Sequence, residues 1–272
     1  MKCIICNSKS DYFFSKIYDK EPFESMMKNI GKVDYYKCSD CGFTISKTHS
    51  ELAKEDWMKL NFDFHHYLEN NDVPINQPPY IEQASMIKIL SENGIIDIES
   101  VLDYAGGYGT LSIILKKYFH ISKFPVYEPF VQNTNNDIYI SKENLKKYKT
   151  VFNSALFEHI TERNLFDEIN NLVTDDGCMI IHTVICENIP NDSNWFYLFP
   201  PVHCAFHTNK SMNILMRQWN YKSSIYVPSA KCWILFKKEN MNIQEKVNQI
   251  NLEFQTDYLI YKVGFVDYWK GF

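Results

Sequence analysis

The chain has 272 residues, 45% of them hydrophobic and 15% aromatic, with a formal net charge of -5. That is enough apolar material for one large domain with an appendage, or two modest domains, and too much for a disordered chain. The acidic balance speaks against a nucleic-acid partner, which asks for a concentrated basic face, and no apolar run approaches the roughly 18 residues of a membrane span.

The opening Met1-Lys2-Cys3-Ile4-Ile5-Cys6 does not read as a secretory leader. The expectation is a cytoplasmic protein, whose eight cysteines are metal ligands or buried thiols rather than disulfides. Residues 1–50 are loop-rich and hold both Cys-x2-Cys pairs, Cys3 with Cys6 and Cys38 with Cys41. Each pair puts two thiolates on one tight turn, and two such turns suit tetrahedral zinc. Four thiolates fill the coordination shell, so the expected zinc is structural.

Residues 51–98 predict a helical linker or lid, with a helix over 80–90 that stops before Asn93-Gly94. The aromatic stretch Phe62-Asp63-Phe64-His65-His66-Tyr67 suits either a lid, with Tyr67 touching a cofactor, or an amphipathic helix packed into the core. From 99 to 238 the pattern alternates. Strand candidates are 100–103, 124–128, 137–140, 150–154, 179–183, 223–227 and 232–236, and helices fit 110–118, 162–172 and 211–219. This predicts an α/β fold, doubly wound, with a seven-stranded, mostly parallel sheet covered on both faces. The last two strands make an antiparallel hairpin. Residues 239–272 form a C-terminal extension, a helix followed by the hydrophobic segment 258–266.

The stretch Val101-Leu102-Asp103-Tyr104-Ala105-Gly106-Gly107-Tyr108-Gly109-Thr110 is a strand ending in an acid, a small-residue turn and a helix start. Ala105, Gly106, Gly107 and Gly109 let the backbone approach a ligand at the carboxyl edge of the sheet. A P-loop would end in Gly-Lys-Ser/Thr, which is absent here. A dinucleotide site would set pyrophosphate on the helix N-terminus, where Asp103 would repel it, and the third glycine of that fingerprint is replaced by Ser112. A cationic ligand is favoured. S-adenosylmethionine carries an ammonium and a sulfonium and no phosphate. Glu128 ends the next strand and can accept hydrogen bonds from ribose hydroxyls.

These segments resemble those of class I S-adenosylmethionine-dependent methyltransferases. Asp103, Gly107 and Gly109 stand in register with the glycine-rich motif, Ala105 replacing its first glycine, and Glu128-Pro129 resembles the acidic motif. Phe152-Asn153-Ser154-Ala155-Leu156-Phe157-Glu158-His159-Ile160 and Asp176-Gly177-Cys178-Met179-Ile180-Ile181 resemble the segments around the fourth and fifth strands. With its cysteine lobe the chain is similar to bacterial sugar methyltransferases that carry an N-terminal zinc-binding domain. The resemblance implies a Rossmann-like methyltransferase fold over about 99–237. It implies a cofactor site at Asp103, Ala105, Gly106, Gly107, Gly109, Glu128, Pro129, Asn153, Ser154 and Tyr67. It also implies a small polar acceptor, a sugar or nucleotide-linked sugar of surface-polysaccharide synthesis.

Methyl transfer to a hydroxyl or carbon acid can need a base. His159 follows the fourth strand. His203 and His207 lie in Pro200-Pro201-Val202-His203-Cys204-Ala205-Phe206-His207-Thr208, which resembles the family's His-x-x-Phe-x-Thr/Ser segment with His203 on the histidine. Each is a candidate catalytic residue, against the alternative of a packing or backbone-bonded histidine. Trp195, Phe196, Tyr197 and Phe199 are candidates for an acceptor pocket or for core. Two other readings stay open: a zinc-ribbon scaffold without catalysis, and a methyltransferase for RNA or protein.

Overall fold

Apolar alternation and helical periodicity build two sheets, a large one that carries the glycine-rich turn and a small one beside it. The structure, a computed structural model, describes residues 1–70, 77–129, 137–239 and 242–267. In chain order the elements are β1 (Ser10–Lys16), α1 (Phe23–Met27), β2 (Val33–Cys38), β3 (Thr44–Ser46), α2 (Lys47–Ser50), α3 (Lys54–Asn70), α4 (Tyr80–Glu92), β4 (Val101–Tyr104), α5 (Thr110–Tyr118), β5 (Val126–Tyr127), β6 (Tyr148–Ser154), α6 (Arg163–Asn171), β7 (Val173–His182), β8 (Ile185–Cys186), β9 (Ala205–Thr208), α7 (Asn209–Gln218), β10 (Ser223–Val227), β11 (Cys232–Phe236), α8 (Ile243–Phe254) and β12 (Ile260–Val263). No described helix is long and apolar enough to cross a membrane.

The large sheet runs β12-β10-β11-β7-β6-β4-β5. β5, β4, β6 and β7 are mutually parallel, and the β10–β11 hairpin adds β11 antiparallel to β7. The strand count matches the expected seven, with one exchange. Residues 137–140 make only a parallel bridge between Tyr139 and Val126. β5 stops after two residues because Glu128-Pro129 follows, and proline has no N–H to extend a ladder. The seventh place goes to β12 of the C-terminal extension, antiparallel to β10 at the opposite edge.

Successive residues of each strand feed opposite cores. Val101, Phe152, Ile180, Ile225 and Ile234 pack with Leu90 of α4, Leu115 of α5 and Val247 of α8. Leu102, Val151, Met179, Ile181 and Leu235 pack with Phe166 of α6 and Met216 of α7. Burial on both faces explains the near-continuous apolar runs, as expected of parallel strands.

The small sheet has the order β1-β2-β3-β9-β8. Its first three strands are an antiparallel meander from the N-terminal lobe. The other two come from the segment between β7 and α7, β9 antiparallel to β3 and β8 parallel to β9. The lobe shares a core with that segment, in which Phe14 and Tyr35 meet Trp195, Leu198 and Phe206.

Candidate active site

β4 delivers Asp103 to the carboxyl edge of the large sheet. The chain then turns through left-handed residues at Ala105 (φ 58°), Gly107 (φ 55°) and Gly109 (φ 71°) before α5 begins. Gly107 N donates to Glu128 Oε2 at 2.7 Å, and Tyr139 Oη donates to Gly107 O at 2.8 Å, so the turn is held from two sides. Gly106 makes room for the acid: a Cβ there would lie 2.6 Å from Asp103 Oδ2. Asp103 is 2% exposed, and its Oδ1 has no hydrogen-bond partner among the described residues. Burial, and then the Glu128 carboxylate, push the Asp103 carboxyl up to about 8. Two mutually repelling acids and one orphaned oxygen fit a cation and disfavour a phosphate. These residues therefore fit S-adenosylmethionine.

The turn opens into a cavity of about 1440 Å³, larger than the roughly 300–1,000 Å³ of a usual single-ligand site. Asp103, Ala105, Gly106, Gly107, Glu128 and Ser154 line it, forming a carboxylate rim. A second group of lining residues is aromatic and imidazole-rich. α3 contributes Asn61, Phe64, His65 and Leu68, spaced as one helical face. The turn after β6 contributes Glu158 and His159, and the segment between β7 and α7 contributes Phe196, Tyr197, Phe199 and His203.

Hydrogen bonds fix the state of the two histidines. His203 Nδ1 lies 2.8 Å from Tyr197 O. A carbonyl has no proton to give, so Nδ1–H donates and Nε2 carries the lone pair. His159 Nδ1 lies 3.3 Å from Asn61 Oδ1, and Asn61 is oriented by its Nδ2 donating to Trp57 O at 2.8 Å. The same tautomer follows. The His159 and His203 rings are 5.1 Å apart, and His65 is 5.7 Å from His159. Burial holds His203 and His65 down to about 4, and burial with His203 and His65 alongside holds His159 well below its ordinary value. Burial thus disfavours the charged form of all three rings.

Glu158 is 1% exposed. Tyr197 Oη donates to its Oε1 at 2.6 Å and Thr183 Oγ1 to its Oε2 at 2.8 Å, while burial raises its carboxyl above the ordinary range. The N-terminal lobe braces this group. Tyr35 Oη donates to His203 O at 3.1 Å, Tyr18 Oη to Leu198 O at 3.0 Å, and Ser46 N to Cys204 O at 2.7 Å.

The four N-terminal cysteines converge. Sγ atoms of Cys3 and Cys41 are 3.6 Å apart, those of Cys6 and Cys38 3.4 Å, and all four lie within 4.8 Å of one another. A zinc–sulfur bond of about 2.3 Å implies a tetrahedral edge of about 3.8 Å, so the donor set fits that ion. Gly42, at φ 73°, closes the second turn, and Thr208 Oγ1 donates to Cys41 O at 2.5 Å.

Several expected site residues lie off the cavity. Gly109 caps α5, where a Cβ would collide with Ile138 Cδ1. Asn153 is fully buried beside the lining Ser154, and Pro129 follows Glu128 outside the lining. Tyr67 packs 6.2 Å from Phe23, and Trp195 5.2 Å from Phe206. His207 is fully buried among Phe43, Phe157 and Phe166, with ring centroids at 4.9, 5.6 and 5.4 Å, and burial pushes it down to about 3. Conversely, His182 lines the cavity although no motif marked it. Its Nδ1 is 3.1 Å from Ser154 Oγ, which also accepts from Gln83 Nε2 at 3.1 Å.

Comparison with known proteins gives the family. No curated protein sequence matches the chain. Among solved structures, the plantazolicin methyltransferase BpumL in complex with SAH is similar at TM-score 0.42 and 11% identity, over 79% of this chain and 91% of that one. An O-methyltransferase family protein from Burkholderia thailandensis is similar at TM-score 0.45 and 14% identity, over 69% and 61%. A SAM-dependent methyltransferase from Aquifex aeolicus is similar at TM-score 0.39 and 16% identity, over 59% and 92%. A family model described as a methyltransferase domain matches residues 63–223, more than half of the chain, including the glycine-rich turn, both rim acids and the histidine cluster. The chain belongs to this methyltransferase-domain family and is an S-adenosylmethionine-dependent methyltransferase.

Proposed function

We propose that the cavity holds cofactor and acceptor side by side, the cofactor against Asp103, Gly107 and Glu128 and the acceptor against His159, His203 and the aromatic wall. The observation that carries this is a single cavity lined both by two acids at the glycine-rich turn and by two imidazoles with bare Nε2 atoms. Bound S-adenosylmethionine supplies an electrophilic methyl carbon on sulfur. Asp103 faces the ammonium and Glu128 the ribose hydroxyls. His159 or His203 accepts the acceptor's proton at Nε2 as the acceptor–carbon bond forms and the sulfur–carbon bond breaks. Phe196, Tyr197 and Phe199 exclude water from the acceptor.

The resemblance to bacterial sugar methyltransferases makes a carbohydrate, free or nucleotide-linked, the proposed acceptor. The lobe at 1–50 is proposed to hold structural zinc through Cys3, Cys6, Cys38 and Cys41, and 51–98, 99–238 and 239–272 to serve as helical lid, catalytic domain and extension.

The test separates cofactor from chemistry. Glu128→Ala is expected to weaken S-adenosylmethionine binding by about 1–3 kcal/mol in calorimetry. His203→Gln is expected to leave that affinity within a factor of a few and to slow release of S-adenosylhomocysteine with a panel of sugars. Unchanged affinity in the first variant rejects the rim, and unchanged turnover in the second removes His203. Turnover of a peptide or RNA with the sugars silent overturns the carbohydrate acceptor.

A further inference from the structure

We infer that Glu158, His159 and His203 form a second metal site, separate from the four cysteines, for a divalent first-row transition ion. One ligating atom of each of the three lies within 4.8 Å of the others. Two imidazoles and one carboxylate are a donor set that suits zinc, iron, cobalt or nickel and leaves positions open.

Three features favour an ion here over ordinary packing. First, both histidines carry the tautomer a metal selects: each Nδ1–H is committed to a carbonyl oxygen, of Tyr197 or of Asn61. Neither Nε2 has a hydrogen-bond partner among the described residues. Metal-bound histidines are oriented in this way by an outer hydrogen bond. Second, the ring separation fits. With a metal–nitrogen bond of about 2.0–2.1 Å, two imidazoles on one tetrahedral ion place their centroids about 5 Å apart, and here the distance is 5.1 Å. Third, Glu158 is a carboxyl group at 1% exposure with no lysine or arginine partner among the described residues. Its two hydroxyl donors, Tyr197 and Thr183, leave a lone pair on each oxygen. A divalent cation stabilises the carboxylate form that burial otherwise disfavours.

The ion and the acceptor proton compete for the same Nε2 lone pairs, so a loaded site stops the histidines from acting as bases. Binding itself does not rest on the proposed reaction.

The experiment is metal counting on the full-length protein after dialysis with cobalt(II), in wild type and His203→Gln, with affinity for S-adenosylhomocysteine as the check on folding. The variant is expected to hold one equivalent fewer than wild type and to keep the thiolate-to-cobalt absorption of the cysteine site. Equal metal content in the two proteins overturns the site. Should the variant fail to fold, proton NMR of cobalt-loaded wild type decides. The cysteine site contains no histidine, so shifted, exchangeable imidazole N–H signals from two histidines support the inference, and their absence overturns it.

Discussion

Asp103 shows how one buried acid couples proton and ligand binding. An ordinary aspartate in the unfolded chain titrates near about 3.9, whereas burial and Glu128 push this one up to about 8 when folded. The folded state therefore keeps a proton that the unfolded state loses above about pH 4. Stability is highest below that point, falls as pH rises through the interval to about 8, and levels above it. Asp103→Asn is expected to flatten this part of the profile, seen in denaturant unfolding at pH 5, 7 and 8.5. A cation beside Asp103 favours its charged form. S-adenosylmethionine affinity is thus expected to rise with pH, by up to about tenfold per unit, until it plateaus near pH 8. Calorimetry that shows uptake of protons on binding, or flat affinity, would contradict this. Residue types and spacing pointed to this acid, to Gly107 and to His203, and all three line the cavity. The same signals could not reveal His182 or the role of Asn61, whose partners Ser154 and His159 lie 28 and 98 residues away along the chain.

Among the elements, β12 was the least legible and has a clear role. The apolar segment 258–266 carried no periodicity that said where it would pair. In the fold it covers β10, and Phe265 and Val266 join the core, where Trp233 Nε1 donates to Val266 O at 3.0 Å. A chain ending at residue 239 would leave β10 as a bare edge, with Trp233 and Tyr226 losing their cover. Such edges template aggregation. That truncation is expected to lower soluble yield and to cost several degrees of melting temperature, checked by light scattering and calorimetry. The opposite error, a strand expected at 137–140, arose because apolar alternation there serves a different end. Ile138 packs against Gly109 and Tyr139 clamps Gly107, so the segment supports the ligand turn and pairs through a single bridge. β8 and β9 are too short, at two and four residues, to stand out as strands at all.

At the scale of the molecule, the cysteine lobe and the histidine cluster are mechanically joined through Tyr35, Tyr18 and Ser46. Stripping the four cysteines of their proposed zinc is expected to reduce melting temperature and methyl transfer while S-adenosylmethionine affinity, proposed to rest on the Asp103 and Glu128 rim of the cavity, changes little. Chelator titration followed by calorimetry and turnover checks this, and loss of cofactor binding in parallel with turnover would refute the division. The pairing of Thr44 with Phe206 and Ile45 with Ala205 has a further consequence for engineering. A graft of the first fifty residues onto another transferase would arrive with an unfilled ladder, since its fourth and fifth rungs are encoded some 140 residues downstream. The foldable unit is therefore discontinuous, and moving one piece requires moving the other with it.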